Sequence, residues 1–398
     1  MPDPPLSGVT IIDFTRVLSG PYCTMLLADM GARVIKIGQP GRGDDTRAWG
    51  PPFVDGESAY FLSINRNKES LALDLKQPGA SRVLEGLLER ADVLVENYRP
   101  GTMERLGLGY DGLAARYSRL IYCSISGFGQ TGPRRGEPGY DAVMQGEGGL
   151  MSITGAADGP PFRLGVAISD IATGMFAAQG IAMALLARVR SGRGQRVDVG
   201  MLDSTAALLT YQAGIYFATG ATPQRMGNRH PTIVPYETLP AADGEFVIAV
   251  GNDEQWRRFC HVLGDPALAD DPRFATNSGR VSHYEELRPL LVARLARRTR
   301  GEWVSDLKAA GVPCGSVRAV AEVLEDPQLD ARHMVETVNH TTAGAVRVLG
   351  VPIKLSDTPG AIRIAPPVLG QHTDAILQED LGMTPVDIAA LRASGVIS

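Results

Sequence analysis

The sequence predicts an α/β fold built on a parallel sheet. Strand-like apolar runs alternate with helical patterns over the first 130 residues, which is typical of βαβ units. The length of 398 residues exceeds the size at which one hydrophobic core usually stops growing, so two domains are expected. A hydrophobic content of 44% and a charged content of 21% are ordinary for a globular protein.

The first 130 residues contain two cycles of strand and helix. Gly20 and Pro21 begin the first predicted helix, and Gly31 ends it. Two strands follow this helix, then a second helix, and then two further strands. The predicted strands lie at 8–13, 32–37, 70–75, 92–97 and 120–126, and the helices at about 20–30 and 80–90.

The rest of the chain predicts a buried helix and then a smaller α/β unit. Dense alanine, glycine and apolar residues over 171–190 predict a tightly packed helix, and its most apolar part, 181–189, is shorter than the ~20 residues that a bilayer requires. The segment 218–240 is rich in Gly, Pro, Asn and Thr and is interpreted as a linker. A strand at 244–250 and helices at about 253–263, 284–298 and 301–310 come next.

Composition and charge restrict the classes of function. The formal net charge of −5 gives no sign of a nucleic-acid or membrane partner. The first residues, MPDPPLSG, do not resemble a secretory signal. The four cysteines form no C-x-x-C pair, which fits reduced thiols better than a disulfide framework or a zinc site. We therefore expect a cytoplasmic enzyme with no metal, no nucleic acid and no membrane partner.

One glycine motif resembles a nucleotide-cofactor site but lacks its context. Gly127-Phe-Gly-Gln-Thr-Gly132 fits G-x-G-x-x-G and follows a predicted strand, yet Pro133 and two arginines follow it instead of a helix. Without that helix there is no N-terminal dipole to hold a pyrophosphate, so the stretch is interpreted as a glycine-rich loop. Basic residues cluster near strand ends in the N-terminal third, where a ligand with several phosphates would bind.

Asp170 is the one acid in a stretch of small and apolar residues, 165–174. One interpretation is a helix N-cap, a position at which Asp is strongly favoured. The other is a covalent nucleophile, because a helix N-terminus stabilises negative charge and carboxylates attack activated acyl groups. Gly165 and Gly174 would let a ligand approach the backbone closely. The two interpretations are compatible, and the local pattern leaves both open.

A set of short motifs along the chain resembles the class III CoA-transferase family. The similarity covers essentially the whole chain in order, and it is greatest to the succinate–hydroxymethylglutarate (glutarate) CoA-transferase branch. The motifs include Phe14-Thr-Arg-Val-Leu-Ser-Gly-Pro21, Gly31-Ala-Arg-Val-Ile-Lys36, Gly43-Asp-Asp-Thr-Arg47, Asn65-Arg-Asn-Lys68, Val95-Glu-Asn-Tyr98, Gly139-Tyr-Asp141, Asp170-Ile-Ala-Thr-Gly174, Ser191-Gly-Arg-Gly-Gln195, Met201-Leu-Asp-Ser204 and Leu369-Gly-Gln-His-Thr-Asp374.

The resemblance implies a large Rossmann-like domain formed by both chain ends, with a small α/β domain between them. On this sequence the large domain would comprise 1–222 and 330–398, and the linker and small domain 223–329. It also implies an interlocked, ring-like homodimer in which each chain is threaded by the other.

The resemblance further implies a catalytic role for Asp170, which falls on the family's catalytic aspartate. CoA would pass from an acyl-CoA donor to a carboxylic acid through an aspartyl anhydride and an aspartyl-CoA thioester. Coenzyme A and acyl-CoA are then substrates, and no tightly bound cofactor is expected. The positions that match the CoA site are Arg16, Leu73, Lys76, Asn97, Arg105 and Tyr140.

The expected acceptor is a dicarboxylic acid, for example glutarate with succinyl-CoA as donor. Its distal carboxylate would need a cation, because burying it unpaired is costly. Arg16 and Leu18 replace the histidine and glutamine of the formyl-CoA:oxalate branch, and the glycine loop of that branch is absent, which disfavours oxalate-type acceptors. The candidate cations are Arg47, Arg66 and Arg163, beside Arg16.

Two alternatives stay open at this point. An α-methylacyl-CoA racemase would use a histidine in a G-H-D context, but here the stretch is Gly139-Tyr-Asp141. A tyrosine, with a reference pKa of ~10, is a poor base at neutral pH. A non-catalytic CoA-binding paralogue is the other alternative, and the intact Asp170 argues against it.

Overall fold

The computed structural model describes residues 3–398 as two compact units. The first comprises the chain up to Leu150 together with Leu164–Ala213 and Pro327–Ser398, and the second comprises Met151–Arg163 and Gly214–Asp326. The domain limits given above stay a prediction, and these units differ from them chiefly in the placement of 151–163.

The strands are β1 (Thr10–Asp13), β2 (Arg33–Gly38), β3 (Phe53–Val54), β4 (Glu57–Ser58), β5 (Lys68–Ala72), β6 (Val93–Glu96), β7 (Ile121–Ser126), β8 (Arg196–Gly200), β9 (Tyr236–Ala241), β10 (Gly244–Ala249), β11 (Cys314–Ser316), β12 (Val335–His340) and β13 (Gly344–Leu349).

The α-helices are α1 (Ser19–Asp29), α2 (Ala59–Ile64), α3 (Ala80–Leu88), α4 (Thr102–Arg105), α5 (Tyr110–Arg116), α6 (Asp141–Glu147), α7 (Leu150–Ile153), α8 (Ile168–Ser191), α9 (Met201–Ala207), α10 (Thr210–Thr219), α11 (Asp253–Val262), α12 (Ala267–Asp270), α13 (Asn277–Ser282), α14 (Tyr284–Leu295), α15 (Arg300–Ala309), α16 (Val320–Leu324), α17 (Pro327–Ala331), α18 (Thr373–Ala375) and α19 (Pro385–Ala393).

A six-stranded parallel sheet organises the first unit, in the order β5-β2-β1-β6-β7-β8. The predicted α/β class with a parallel sheet is therefore confirmed. The chain builds outward from β1 first in one direction and then in the other, so the strand order reverses between β1 and β6. Open α/β sheets bind ligands outside the carboxyl ends of the strands at such a reversal.

Consecutive residues of β1 serve two cores, one on each face of the sheet. Ile12 packs with Ile35 and Leu94 on one face, whereas Ile11 packs with Val34 and Val93 on the other. Side chains in a strand alternate between faces, and a sheet covered on both sides therefore needs apolar residues at successive positions. This explains why the strands read as continuous apolar runs in the sequence.

The C-terminal part of the chain completes one of these cores. Ile376, Leu377, Val396 and Ile397 are buried in the same cluster as Ile12. The backbone of Ile397 forms a bridge with Leu73, just after β5. The first unit therefore buries one face of its sheet with residues from both ends of the sequence.

Helix α8 covers the other face, and it is longer than its most apolar part suggested. It has 24 residues and is long and apolar enough, by length and composition, to cross a membrane. The expectation based on 181–189 was wrong because Ala and Ile residues before that stretch extend the apolar helix. Ala177 and Ile181 are fully buried against the sheet. A core helix of a globular protein meets the same criterion of length and composition.

The second unit has its own three-stranded antiparallel sheet, in the order β11-β10-β9, and its own core around Trp256 and Phe259. The linker predicted over 218–240 was wrong at its end, because β9 begins at Tyr236. Pro240 is tolerated there because β9 is an edge strand, in which one row of N–H groups has no partner strand.

Gly174 allows α8 to approach α1 closely. A Cβ atom at this position would lie 2.6 Å from the carbonyl oxygen of Ser19. We expect Gly174→Ala to lower the free energy of unfolding by about 1–3 kcal/mol, because either helix must shift to relieve the overlap. The measurement is urea-induced unfolding.

Gly112→Ala is the matched control for this substitution. Gly112 lies in α5, and a Cβ atom there would have no other atom within 4 Å. The alanine should leave stability unchanged or raise it by roughly 0.5–1 kcal/mol, since it restricts the unfolded chain. Equal stability of the two variants would contradict the close packing of α8 on α1.

Candidate active site

Asp170 lies in the first turn of α8 and is 9% exposed. The N-cap interpretation was wrong: the helix begins at Ile168, and Ala167 occupies the N-cap position. Asp170 is therefore a residue inside the first turn. The backbone N–H groups of that turn lack helical partners and favour a negative charge nearby.

The carboxylate of Asp170 is buried beside another carboxylate instead of being paired with a cation. Burial and the repulsion of Asp141 together raise the pKa of Asp170 to about 6, and the nearby hydroxyl and backbone N–H of Ser19, which lines the same cavity, partly offset this rise. The charged group that acts most on this carboxyl is thus another carboxylate. A desolvated anion with two hydrogen-bond donors is suited to attack an electrophile.

Asp141 connects the start of α6 to the start of α8. Its Oδ1 accepts the backbone N–H of Ser169 at 2.9 Å, and its Oδ2 accepts Nε2 of Gln145 at 2.8 Å. Both oxygens of Asp141 therefore have partners, in contrast to a free catalytic acid. The two contacts fix the turn that carries Asp170.

A cavity of about 190 Å³ opens onto Asp170. It lies at the carboxyl ends of β1, β6 and β7, where the strand order of the sheet predicts a ligand. Three residues from the predicted CoA set line it: Arg16, Asn97 and Tyr140. The structure thus brings the predicted nucleophile and half of that set into one cavity.

The other three predicted CoA residues do not line this cavity. Leu73 is 1% exposed, its side chain belongs to the sheet core, and its backbone N–H donates to the carbonyl oxygen of Gly38 at 2.8 Å. Lys76 and Arg105 are exposed, and Arg105 donates to the hydroxyl of Thr102 at 3.0 Å.

The three candidate cations for a carboxylate substrate have different surroundings. Arg66 is buried and donates from Nε and Nη2 to the two oxygens of Asp29, at 3.0 and 2.6 Å. Arg47 stacks 3.7 Å from the ring centre of Phe61, and burial lowers its pKa to about 10 despite nearby carboxylates. Arg163 lies in the second unit.

Further basic residues of the cluster predicted near the strand ends lie at this edge of the sheet, although the family resemblance does not include them among the CoA positions. Arg99 is exposed and lines the cavity of Asp170, and Arg42 lines a smaller cavity beside it together with Lys36 and Tyr98. Their signal was the position of each residue shortly after a predicted strand. Ser19, the partner of Asp170, carried no such signal.

The glycine motif at Gly127 does not form a phosphate-binding helix start, in agreement with its interpretation as a loop. A Cβ atom at Gly127 would lie 2.8 Å from the backbone of Gly139, so the two glycines allow two loops to touch. Among residues 3–398, no group of three His, Cys, Asp or Glu side chains is arranged to hold a metal ion.

Replacing Asp170 by asparagine should stabilise the protein above pH 6. The folded-state pKa of about 6 lies above the ordinary value of 3.8, so folding takes up a proton and stability falls as the pH rises between these values. The substituted carboxamide cannot ionise, so the variant should exceed the native chain by about 1–3 kcal/mol at pH 8 and by less at pH 4. Urea unfolding at both pH values measures this difference.

Asp158→Asn, at an exposed position, controls for the substitution itself. A stabilisation of Asp170→Asn that is equal at pH 4 and pH 8 would contradict the raised pKa of Asp170.

Comparison with known proteins assigns nearly the whole chain to one family. The family model described as CoA-transferase family III matches residues 6–373. The succinyl-CoA:glutarate CoA-transferase of Mus musculus is 44% identical over 99% of this chain and 90% of its own length. The acetyl-CoA:oxalate CoA-transferase of Acetobacter aceti is 44% identical over 91% of this chain and 94% of its own length.

The solved structures agree with these relatives. A crystal structure of a CAIB/BAIF family protein from Brucella suis is similar with a TM-score of 0.84 and 41% sequence identity, covering 95% of this chain and 100% of that chain. The family and the enzyme class predicted from the sequence motifs are confirmed. The chain belongs to the CoA-transferase family III and is a CoA-transferase.

Proposed function

We propose that this enzyme moves CoA from an acyl-CoA donor, such as succinyl-CoA, to a dicarboxylic acid through covalent intermediates on Asp170. The observation that carries the proposal is the state of this carboxylate. It is desolvated, held by two donors of Ser19 and opposed by Asp141, and it opens onto a cavity at the ligand-binding edge of the sheet. The family membership supplies the reaction class.

The reaction requires only exchange of acyl groups. An oxygen of Asp170 attacks the thioester carbonyl, the C–S bond breaks, and CoA leaves as a thiolate. The product is a mixed anhydride of Asp170 and the donor acid. The thiolate attacks the aspartyl carbonyl, which releases the donor acid and leaves an aspartyl-CoA thioester. The acceptor carboxylate then attacks the aspartyl carbonyl of this thioester, the C–S bond breaks, and CoA leaves as a thiolate, which gives a second anhydride. The thiolate returns to attack the acyl carbonyl of the acceptor and gives the new acyl-CoA and free Asp170. Each step conserves charge and needs no external acid, base or redox partner.

CoA is proposed to bind as a substrate, with no tightly bound cofactor. A phosphate-bearing ligand suits the cations at this edge of the sheet, because guanidinium groups bind phosphate oxygens in pairs. For Leu73 the proposal rests on the family resemblance alone, since the residue is buried and its backbone N–H is bound to Gly38. The proposed CoA-binding residues are Arg16, Leu73, Lys76, Asn97, Arg105 and Tyr140.

Arg47 is the strongest of the three proposed carboxylate-binding arginines. Two of the nitrogens of Arg66 are already bound to Asp29. The Nε atom of Arg47 is buried and has no hydrogen-bond partner within residues 3–398, and its nearest carboxylate, Glu57, is 3.9 Å away. Arg163 stays a proposal from sequence alone.

We also propose that the chain acts as an interlocked homodimer in the cytoplasm, away from membranes. The outer side of α8 supports a protein partner: Met175, Met183, Leu186 and Val189 are between 54% and 82% exposed. Apolar side chains in a contiguous stripe on a helix usually mark a contact surface. The threaded, ring-like arrangement rests on the resemblance to the family.

Removal of the carboxylate tests the proposed mechanism. Asp170→Ala should lower the rate of CoA transfer by at least about 1,000-fold while leaving CoA binding within roughly threefold, because a nucleophile acts in the chemical step. Incubation of the native enzyme with succinyl-CoA and hydroxylamine should convert Asp170 to a hydroxamate, detected by peptide mass. Appreciable transfer by the variant would overturn the nucleophile role.

A panel of acids with succinyl-CoA as donor identifies the acceptor. We expect glutarate and similar dicarboxylic acids to react at least about tenfold faster, in kcat/KM, than monocarboxylic acids of equal length, because the distal carboxylate binds a cation. Oxalate belongs in the panel, since a relative of equal identity is named for it. A preference for monocarboxylic acids would contradict the dicarboxylate proposal.

A further inference from the structure

The turn between β1 and α1 has an unusual backbone at the cavity wall. Val17 has φ of 68°, in the left-handed region, and it lines the cavity of Asp170. A β-branched residue strongly disfavours this conformation, so neighbouring groups must hold it. Two residues later, Ser19 begins α1, lines the same cavity as Asp170, and lies where α1 packs closely against the first turns of α8. The turn therefore sets the position of the hydrogen-bond donors at the nucleophile.

Asn97 holds this turn through both polar atoms of its carboxamide. Its Oδ1 accepts the backbone N–H of Arg16 at 2.8 Å, and its Nδ2 donates to the carbonyl oxygen of Arg16 at 2.7 Å. Asn97 directly follows β6, and β6 pairs with β1. The carboxamide thus continues the pairing of the two strands by imitating a peptide group, just before the chain turns at Val17.

Two buried charges hold the peptide groups on either side of Arg16. Lys36 donates to the carbonyl oxygen of Thr15 at 2.7 Å and forms an ion pair of 2.9 Å with Asp44. Asp44 accepts the backbone N–H of Val17 at 3.2 Å. Lys36 and Asp44 are each 2% exposed, so solvent does not compete for these contacts. The two successive peptide groups 15–16 and 16–17 of the turn are therefore each held by side chains at both their C=O and their N–H.

The side chain of Arg16 is held separately from its backbone. Its guanidinium lies 4.9 Å from the ring centre of Tyr98 and 3.5 Å from Asp45. A ligand contact through this guanidinium therefore does not depend on the carboxamide of Asn97. This separation makes the two possible roles of Asn97, contact with CoA or support of the turn, distinguishable by experiment.

We propose that Asn97 is a positioning residue of the reaction: by clamping the Arg16 peptide it holds the Thr15–Ser19 turn so that Ser19 donates to Asp170. The inference rests on the proposed function, because it concerns the efficiency of the aspartate as a nucleophile. For Asn97 this role replaces the direct CoA contact that the family resemblance implies, because both polar atoms of its carboxamide are bound to Arg16. The two roles differ in the step that they affect. A CoA contact acts on affinity, whereas a positioning residue acts on the rate of the chemical step.

The test compares Asn97→Ala with Arg105→Ala, a variant at a proposed CoA contact. We expect Asn97→Ala to lower the rate of Asp170 acylation at saturating succinyl-CoA by about 10- to 100-fold, with the Kd for CoA within roughly threefold of native. Arg105→Ala should raise the Kd for CoA by about tenfold with little change in the saturated rate. Rapid-quench hydroxylamine trapping and titration calorimetry measure the two quantities.

Asn97→Asp and Asn339→Ala complete the set of variants. Asn97→Asp keeps the acceptor for the Arg16 N–H but loses the donor, so its rate should lie between those of the native chain and Asn97→Ala. Asn339→Ala removes an exposed carboxamide from β12 and should match the native enzyme. If Asn97→Ala fails to fold, Asn97→Asp carries the comparison. A loss of CoA affinity as large as the loss of rate, or no loss of rate, overturns the positioning role.

A second readout separates failure of this inference from failure of the proposed function. The pH dependence of carbodiimide modification at Asp170, followed by peptide mass, needs no CoA and no acid substrate. Displacing the Ser19 donors, which lower the pKa of Asp170, should move the midpoint of Asn97→Ala upward by about half a pH unit or more. An unchanged midpoint overturns the positioning role, whether or not the native enzyme transfers CoA.

Discussion

A group of buried opposite charges on β1, β2 and the first residue of β5 supports the loops around the candidate active site. Asp13 and Lys68 are fully buried, and the ammonium of Lys68 lies 3.4 Å from the carboxylate. Burial alone would raise the pKa of Asp13, but Lys36 and Lys68 lower it below its ordinary value. Each charge is tolerated only because the others are present, since an unpaired buried charge costs several kcal/mol (about 3–5). The loops that leave these strands are thereby fixed to one another.

These buried charges also fix, through a series of contacts, the backbone around the carboxylate of Asp170, which has no cation beside it. The buried charges and Asn97 hold the turn after β1, the turn places Ser19, and Asp141 holds the first turn of α8. Asp170 receives neutral hydrogen bonds from this frame but no cation. The position of Asp170 is thus fixed without a cation beside its carboxylate, and for the proposed nucleophile this arrangement is the condition for preorganised catalysis.

The sequence predicted the sheet well because apolar runs at successive positions report a strand that is buried on both faces. It placed β5 two residues late, at 70 instead of Lys68, because a strand that begins with a lysine and a glutamate shows no apolar signal. Lys68 is buried only through Asp13, 55 positions away in the chain, and such a partner is invisible to local patterns. The pairing of Arg66 with Asp29 was not predicted for the same reason, because the two residues are far apart in the sequence.

The sequence located Asp170, the proposed nucleophile, but not the residues that surround it in the candidate site. Asp170 could be located through the motif around it, whereas the N-cap interpretation of that residue failed because the helix starts two residues before it. Ser19 and Asp141 act on Asp170 from distant parts of the sequence, so only the fold brings them together.

The burial of Ile376, Leu377 and Ile397 beside Ile12 also governs how the nascent chain folds. On the ribosome the first unit cannot cover that face of its sheet until these residues emerge, whereas the second unit is complete at Asp326. Until then, the strands made first expose the apolar face of the sheet that these residues later cover. Nascent chains depend most on chaperones in this condition.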